Sequence, residues 1–210
     1  MIKKAQINMF RLKKRTKNAK NTRRDETLRE YMRLVDDPNY HHIEANDKGG
    51  LKAIHAGHNT ESLERDKKRY FGLTACELEQ ACQDELFRMG HRAILRDESK
   101  KQANGEIASC LDIELDHVIM DIASITEYNG FYGWRLMSKN SQIRRAREQT
   151  GDISDSVCLY FHDPALFHGD VLAKDFEWYR KYAPECGSEQ RLHHIVVVIR
   201  GEREIRKYDI

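Results

Sequence analysis

Apolar and polar positions change their period along the chain, and these changes divide the sequence into predicted helices and strands. After residue 73, segments with apolar residues three and four apart take turns with short apolar runs that are typical of strands. The best-marked helix begins after Thr74, which forms a T-x-x-E capping box with Glu77, and Gly90 ends it. Strands that alternate with helices predict an α/β fold with a mixed central sheet flanked by helices.

The other elements follow from the same patterns. Further helices are predicted at Glu26–Val35, Trp134–Gln149 and Val171–Tyr182. Strands are predicted at His41–Glu44, Leu51–His55, Arg92–Arg96, Cys110–Leu115, Val118–Ile125, Val157–Phe161 and His194–Ile199, with a last edge strand after Gly201 and Glu202. Within the fourth of these strands, alternation predicts that Leu111, Ile113 and Leu115 share one face and that Asp112 lies on the other.

Charge divides the chain at residue 24. Of its 36 Lys and Arg residues, ten lie in residues 1–24, which contain none of the 34 acidic residues. We therefore predict a flexible basic arm at 1–24 and a single α/β domain at 25–210. The arm, with Lys13, Lys14 and Arg15 at its centre, suits contact with nucleic acid through counterion release, and the alternative is a disordered tail that aids solubility.

The sequence shows no segment that targets a membrane or the secretory route. The mean hydropathy is −0.77, and no stretch approaches the roughly 20 apolar residues of a membrane span. The N-terminus lacks the apolar stretch of a signal peptide. We therefore expect a cytoplasmic protein whose five cysteines are reduced thiols.

Three acidic residues occupy positions where acids are uncommon. Glu79 lies on the apolar stripe of its helix, and Asp112 and Asp121 lie within predicted strands. A carboxylate near a core needs a partner, a proton or a metal ion. Together the three can form an oxygen cage of the kind that Mg²⁺ or Mn²⁺ prefers, which activates water at a phosphodiester. The alternative is structural, with one Asp capping a hairpin and the other paired with an Arg.

The run Gly49–Asn59 resembles a G-G-x-x-A-x-H-x-x-H-x segment in nuclease domains at the C-termini of bacterial contact-dependent inhibition toxins. Related domains occur in phage structural and polyvalent proteins, and the resemblance covers roughly residues 37–200. It implies a restriction-endonuclease-like core, the PD-(D/E)XK fold, and a link to a toxin or a mobile element. In this resemblance Glu79, Asp112 and Asp121 match the family's metal-binding acids, and Gln142 also fits.

One position departs from the family pattern. Ala123 stands where the family has the lysine of its E-x-K strand. That lysine orients the attacking water and offsets charge at the phosphate, and alanine does neither. Lys139, on the following helix, can take its place. The sequence therefore leaves three functions open. The first is a metal-dependent nuclease that acts on RNA, tRNA in particular, or on DNA. The second is a non-catalytic binding or protein-interaction module with the same fold, and the third is an unrelated function. An immunity protein is a possible partner.

Two further groups have both a functional and a structural interpretation. His55 and His58, with His41 and His42 upstream, could bind zinc or act as acid and base in RNA cleavage. The alternative, which we favour, is that they are structural histidines that hold the loop through bonds to the backbone. Arg144 and Arg145 lie on the basic helix. They are candidates for contact with a nucleic-acid backbone, with a solvated helix face as the alternative.

Overall fold

The computed structural model describes Thr22 and residues 24–58, 70–184 and 192–210. The predicted arm, including Lys13, Lys14 and Arg15, therefore lies outside the described residues. Within these ranges an eight-stranded mixed sheet is flanked by four helices, which confirms the predicted α/β class.

The boundaries agree closely with the sequence patterns. The helices are α1 at residues 24–35, α2 at Ala75–Met89, α3 at Gly133–Thr150 and α4 at Gly169–Tyr182, with a short 3-10 turn at Pro164–Leu166. The strands are β1 at Tyr40–Ala45, β2 at Leu51–His55, β3 at Arg92–Leu95, β4 at Ile113–Leu115, β5 at Val118–Ile125, β6 at Ser156–Phe161, β7 at His194–Ile199 and β8 at Arg206–Asp209. Of the described helices, none combines the length and apolar character needed to cross a bilayer.

The strands lie side by side in chain order, from β1 to β8. The pairs β2–β3, β5–β6 and β6–β7 are parallel, and the other four pairs are antiparallel. Strands β3, β4 and β5 thus form an antiparallel meander, and parallel strands join it at both sides. The ends of β2 and β3 meet at the same edge of the sheet because these two strands run in the same direction.

Two large apolar clusters cover the two faces of the sheet. Leu78, Cys82 and Leu86 of α2 pack on one face, against residues of β3 to β7. Helices α3 and α4 pack on the other face, mainly over β5, β6 and β7. A third cluster places Leu34 of α1 against residues of β2 and β3. Helices α2 and α3 therefore approach the meander from opposite sides, and each brings side chains to it.

The predicted strand Cys110–Leu115 is correct only in its second half. The ladder begins at Ile113, and the two residues before it leave the alternating pattern. Leu111 belongs to the core under α3 and α4, whereas Ile113 belongs to the core under α2, so the prediction that they share a face was wrong. The alternation is interrupted because a side chain, and not a backbone carbonyl, accepts a hydrogen bond from β5. Asp112 Oδ2 accepts the backbone N–H of Ile122 at 2.6 Å. This bond holds the Asp112 carboxylate against β5.

Helices α2 and α3 are each fixed at their N-termini by an acidic side chain. The predicted capping box of α2 is present, with Thr74 and Glu77 bonded reciprocally. At α3 the acid comes from another element, because the buried Asp175 of α4 accepts the backbone N–H of Tyr132. The capping box therefore fixes where α2 begins, and the Asp175 bond ties the start of α3 to α4.

Candidate active site

A lysine and a glutamine of α3 meet an aspartate of β5 beneath the helix. Lys139 Nζ lies 2.5 Å from Asp121 Oδ2, and Gln142 Nε2 donates to Asp121 Oδ1 at 2.8 Å. Lys139 Nζ also donates to Gln142 Oε1 at 3.2 Å. The Asp121 side chain is fully buried and the Lys139 side chain is 15% exposed, so the positive charge of Lys139 is held against a carboxylate that water does not reach.

A second aspartate stands beside this pair. Burial alone raises the pKa of Asp112, but the charge of Lys139 and hydrogen bonds with Asp121, Glu98 and the Ile122 N–H bring it below its ordinary value. Burial and the charge of Asp112 raise the pKa of Asp121 well above the usual range, with Lys139 opposing them. Near neutral pH Asp112 is therefore ionised, and Asp121 competes with it for the same cation.

His58 brings two glutamates into the same cluster. Its Nε2 lies 3.3 Å from Glu79 Oε2, and its Nδ1 lies 3.6 Å from Glu98 Oε2. One ligand atom from each of the three residues falls within 4.8 Å of the others, so within the described ranges they form a group able to hold a metal ion. The charges of Asp112 and Lys139 also shift the pKa of Glu79, so this group lies close to the Lys139–Asp121 pair under α3.

The geometry of the sheet explains why His58 and Glu98 meet. They follow β2 and β3, whose parallel strands end at the same edge, and Glu98 N donates to Gly57 O at 3.1 Å to tie the two loops together. A Cβ at position 57 would lie 2.0 Å from Asp97 Oδ1, so a larger residue there would have to displace the Asp97 side chain. The backbone thus presents the two side chains to Glu79 on α2.

The acidic side chains of the cluster outnumber its cationic side chains, so the cations do not neutralise all of the negative charge. Burial, and then the charge of Asp112, raise the pKa of Glu79. The same two causes raise the pKa of Glu98 to about 8. Burial opposes the charged form of His58, but hydrogen bonds with Cys76 and Glu79 and the charges of Glu98 and Glu79 raise its pKa to about 10. Without a metal ion, protons have to neutralise part of this charge, because buried carboxylates that lack a counterion are costly.

One buried atom in the cluster is suited to bind a metal ion. Among the described residues, His58 Nε2 has no hydrogen-bond partner of normal geometry, although it faces the Glu79 carboxylate at 3.3 Å. His58 Nδ1 lies 3.2 Å from the carbonyl oxygen of Arg96, which can only accept, so Nδ1 carries a hydrogen and Nε2 is the nitrogen left to bind a metal. Three carboxylates and an imidazole fit a divalent cation.

The structure therefore brings together six of the residues selected from the sequence: Glu79, Asp112, Asp121, Lys139, Gln142 and His58. Their roles in a reaction stay predictions. Sequence reasoning missed Glu98, which lies just beyond β3 in a segment without apolar periodicity. Arg144 and Arg145 are exposed on α3 and outside the cluster.

The other histidines lie apart from the cluster. His55 Nδ1 accepts the backbone N–H of Gly57 at 3.0 Å, and His41 Nδ1 contacts Ile54 O at 2.7 Å. These backbone contacts fit the structural interpretation of the loop histidines. His58 makes such a contact too, but it also belongs to the metal-binding group, whose other members among the described residues are glutamates.

No family model matches the chain, and comparison with curated proteins and with solved structures finds no match either.

The metal-free protein is expected to lose stability as the pH rises from about 5 to about 10. The pKa of Glu98 rises from 4.5 to about 8 on folding, and that of His58 rises from 6.5 to about 10. Between those limits the folded state holds more protons than the unfolded chain, so the free energy of unfolding falls with pH. Thermal unfolding in EDTA at several pH values measures this. Glu98→Gln should flatten the dependence, and a melting temperature that rises from pH 6 to pH 9 would contradict it.

Proposed function

We propose that this chain is a metal-dependent nuclease with a restriction-endonuclease-like core. The observation that carries the proposal is the buried cluster in which three carboxylates, a histidine and the Lys139–Asp121 pair meet at the sheet meander between α2 and α3. A purely structural salt bridge needs one acid for one base. Here the acids outnumber the bases, and the pKa values of Glu79, Glu98 and Asp121 are raised, which is typical of sites that bind a cation or carry out proton transfer.

Glu79, Glu98 and Asp112 supply oxygen ligands in this proposal, and His58 supplies Nε2. Asp121, which the sequence assigned to the metal, has both oxygens engaged by Lys139 and Gln142, and we assign it to positioning that lysine. Mg²⁺ and Mn²⁺ both suit carboxylates, and the imidazole favours Mn²⁺. A divalent ion bound here neutralises charge on a phosphodiester and lowers the pKa of water.

Lys139 takes the role of the lysine that the family has at position 123. Ala123 is 2% exposed and packs in the same cluster as Leu136 and Ile143 of α3, so a lysine there would point into the apolar layer. Lys139 instead enters from the helix and reaches Asp121, two residues before Ala123 on the same face of β5. In the reaction its ammonium group and the Gln142 amide orient the attacking water and offset negative charge.

The substrate in this proposal is RNA or DNA. The resemblance to toxin domains favours tRNA. A cytoplasmic nuclease from a toxin or mobile element also needs an immunity protein as a partner in the cell that makes it. The second candidate function is a non-catalytic nucleic-acid-binding or protein-interaction module. Ala123 favours it, because the lysine of the family's strand is absent and Lys139 is already paired with Asp121.

Cleavage of labelled nucleic acids tests the proposal. The wild-type protein is incubated with tRNA, single-stranded DNA or duplex DNA in Mg²⁺, in Mn²⁺ or in EDTA. We expect cleavage of at least one substrate, faster in Mn²⁺ than in Mg²⁺ and absent in EDTA. Isothermal titration calorimetry measures Mn²⁺ binding in parallel. A protein that binds neither ion and cleaves none of the substrates is the binding module, and the nuclease proposal is then wrong.

A further inference from the structure

Two cavities, one lined mainly by α2 and β5 and the other by the start of α3, share one lining side chain. The first adjoins the cluster itself, because Glu79 lines it together with Ser124, Thr126 and Arg135. The second lies toward the start of α3, and Arg135 lines it as well, with Phe131 and Trp134. A path therefore runs from the carboxylates of the candidate active site, past a guanidinium group, to an aromatic surface.

Arg135 is an unpaired cation at the centre of this path. It is exposed, and within the described ranges its guanidinium group forms no ion pair. It precedes Gln142 by seven residues, which is two helical turns, so the two side chains leave α3 in nearly the same direction about 10 Å apart. An exposed cation without an ion pair among the described residues, beside hydroxyl groups of Ser124 and Thr126, suits the phosphate backbone of a nucleic acid.

Trp134 is a large aromatic side chain left in solvent. It is 67% exposed, so core packing does not account for it. Trp178 contacts its ring at a centroid distance of 5.5 Å, and Phe131 does so at 6.1 Å, both in edge-to-face geometry. These contacts fix the ring without covering it. A fixed, accessible aromatic ring is a platform on which an unpaired base can stack.

We propose that the two cavities form one binding path for a single strand of nucleic acid, in which Arg135 binds a phosphate beside the cleaved one and Trp134 stacks on an unpaired base. This inference rests on the proposed nuclease function and adds the class of substrate. Glu127, an exposed carboxylate, also lines the aromatic cavity, so that cavity suits a base better than a second phosphate. A base that stays paired in a duplex cannot reach Trp134 in this way.

Equilibrium binding of fluorescein-labelled oligonucleotides tests the path without any need for cleavage. Mixed-sequence single-stranded RNA, single-stranded DNA and a duplex are titrated in EDTA at several salt concentrations, with wild type and the variants Trp134→Ala, Trp134→Phe and Arg135→Gln. Arg180→Gln is the matched control, since Arg180 is an exposed arginine of α4 that no part of the path includes. Thermal unfolding checks that each variant is folded.

We expect single strands to bind more tightly than the duplex. Trp134→Ala should weaken single-strand binding roughly 5- to 150-fold, the usual range for a lost stacking platform, and Trp134→Phe should recover most of it. Arg135→Gln should reduce the slope of log affinity against log salt by about 0.7, the value for one phosphate contact on a single strand. Arg180→Gln should change neither. Whether RNA or DNA binds more tightly identifies the strand.

Two results would overturn the path. One is a wild type that binds no oligonucleotide, and the other is equal binding by wild type, Trp134→Ala and Arg135→Gln. If metal-dependent cleavage persists in the second case, the proposed nuclease function is retained and only the proposed path is wrong. Binding that depends on Trp134 and Arg135 without any cleavage leaves the path standing and removes the nuclease function.

Discussion

Replacing Lys139 with methionine is expected to lower the rate of metal-dependent cleavage by about 10²–10⁴-fold, the usual cost of a lost proton-transfer or charge-stabilising group. Methionine keeps the length and apolar character of the side chain and removes only the charge. The pKa of the buried Asp121 should then rise further, because Lys139 no longer opposes the effects of burial and of the Asp112 charge. Oligonucleotide affinity should change little, since Lys139 acts at the reacting phosphate rather than along the strand. Single-turnover cleavage rates in Mn²⁺ measure the effect.

Lys174→Met is the matched control, because it makes the same change on an exposed face of α4 and should leave the rate unchanged. Lys139→Arg provides a second variant that keeps the positive charge near Asp121. We expect it to fold and to cleave poorly, because the larger, planar guanidinium group cannot place its N–H groups where the compact ammonium group orients water. Full activity in both Lys139 variants would show that the lysine on α3 has not replaced the missing strand lysine.

Neutralising two acids of the cluster is expected to abolish cleavage and to change stability in opposite directions. Glu79→Gln should raise the melting temperature in EDTA at pH 7.5, because burial and the charge of Asp112 disfavour an ionised carboxylate at that position. Asp112→Asn should lower the free energy of unfolding by about 1–3 kcal/mol, since it removes charge-assisted hydrogen bonds that favour the ionised form. Opposite shifts from similar substitutions would show that the fold disfavours the charge of Glu79 and favours the charge of Asp112.

Cleavage assays and thermal unfolding in EDTA measure both effects on the same protein samples. Both variants should bind Mn²⁺ at least 10–100-fold more weakly than wild type, the cost already seen for residues that only support a metal ligand. Glu177→Gln, an exposed acid on α4, serves as the control and should match wild type in all three measurements. Retained cleavage in either site variant would show that the substituted residue is not a required metal ligand.

Local patterns in the sequence were sufficient for most of the elements. The capping box at Thr74 and the glycine at position 90 place both ends of α2, and the apolar runs place β5 and β7 at the bounds that the structure shows. These signals depend on residues close together in the chain. Lys139 carries such a signal too, since it follows Leu136 by three residues and precedes Ile143 by four, on the buried stripe of α3.

Other features depend on contacts between distant segments and leave no local pattern. Glu98 enters the cluster because β2 and β3 are parallel neighbours, and neither strand contains information about its neighbour. The start of β4 depends on the bond between the Asp112 side chain and Ile122 N–H, which interrupts an alternation that looks continuous in the sequence. The acids on strands were therefore recognisable as unusual, but the complete set of residues around them was not.

The attachment of α3 has a consequence for how this protein is made in the cell. Lys139 and Gln142 belong to a helix that rests on β6 and β7, and β7 ends at Ile199. Residues up to 199 must leave the ribosome before this helix has its full surface to pack on, whereas His58, Glu79 and Glu98 emerge much earlier. If the proposed nuclease function is correct, Lys139 reaches its position only after β7 has been made. The nascent polypeptide would then be unable to cleave the ribosomal RNA and messenger beside it before that point.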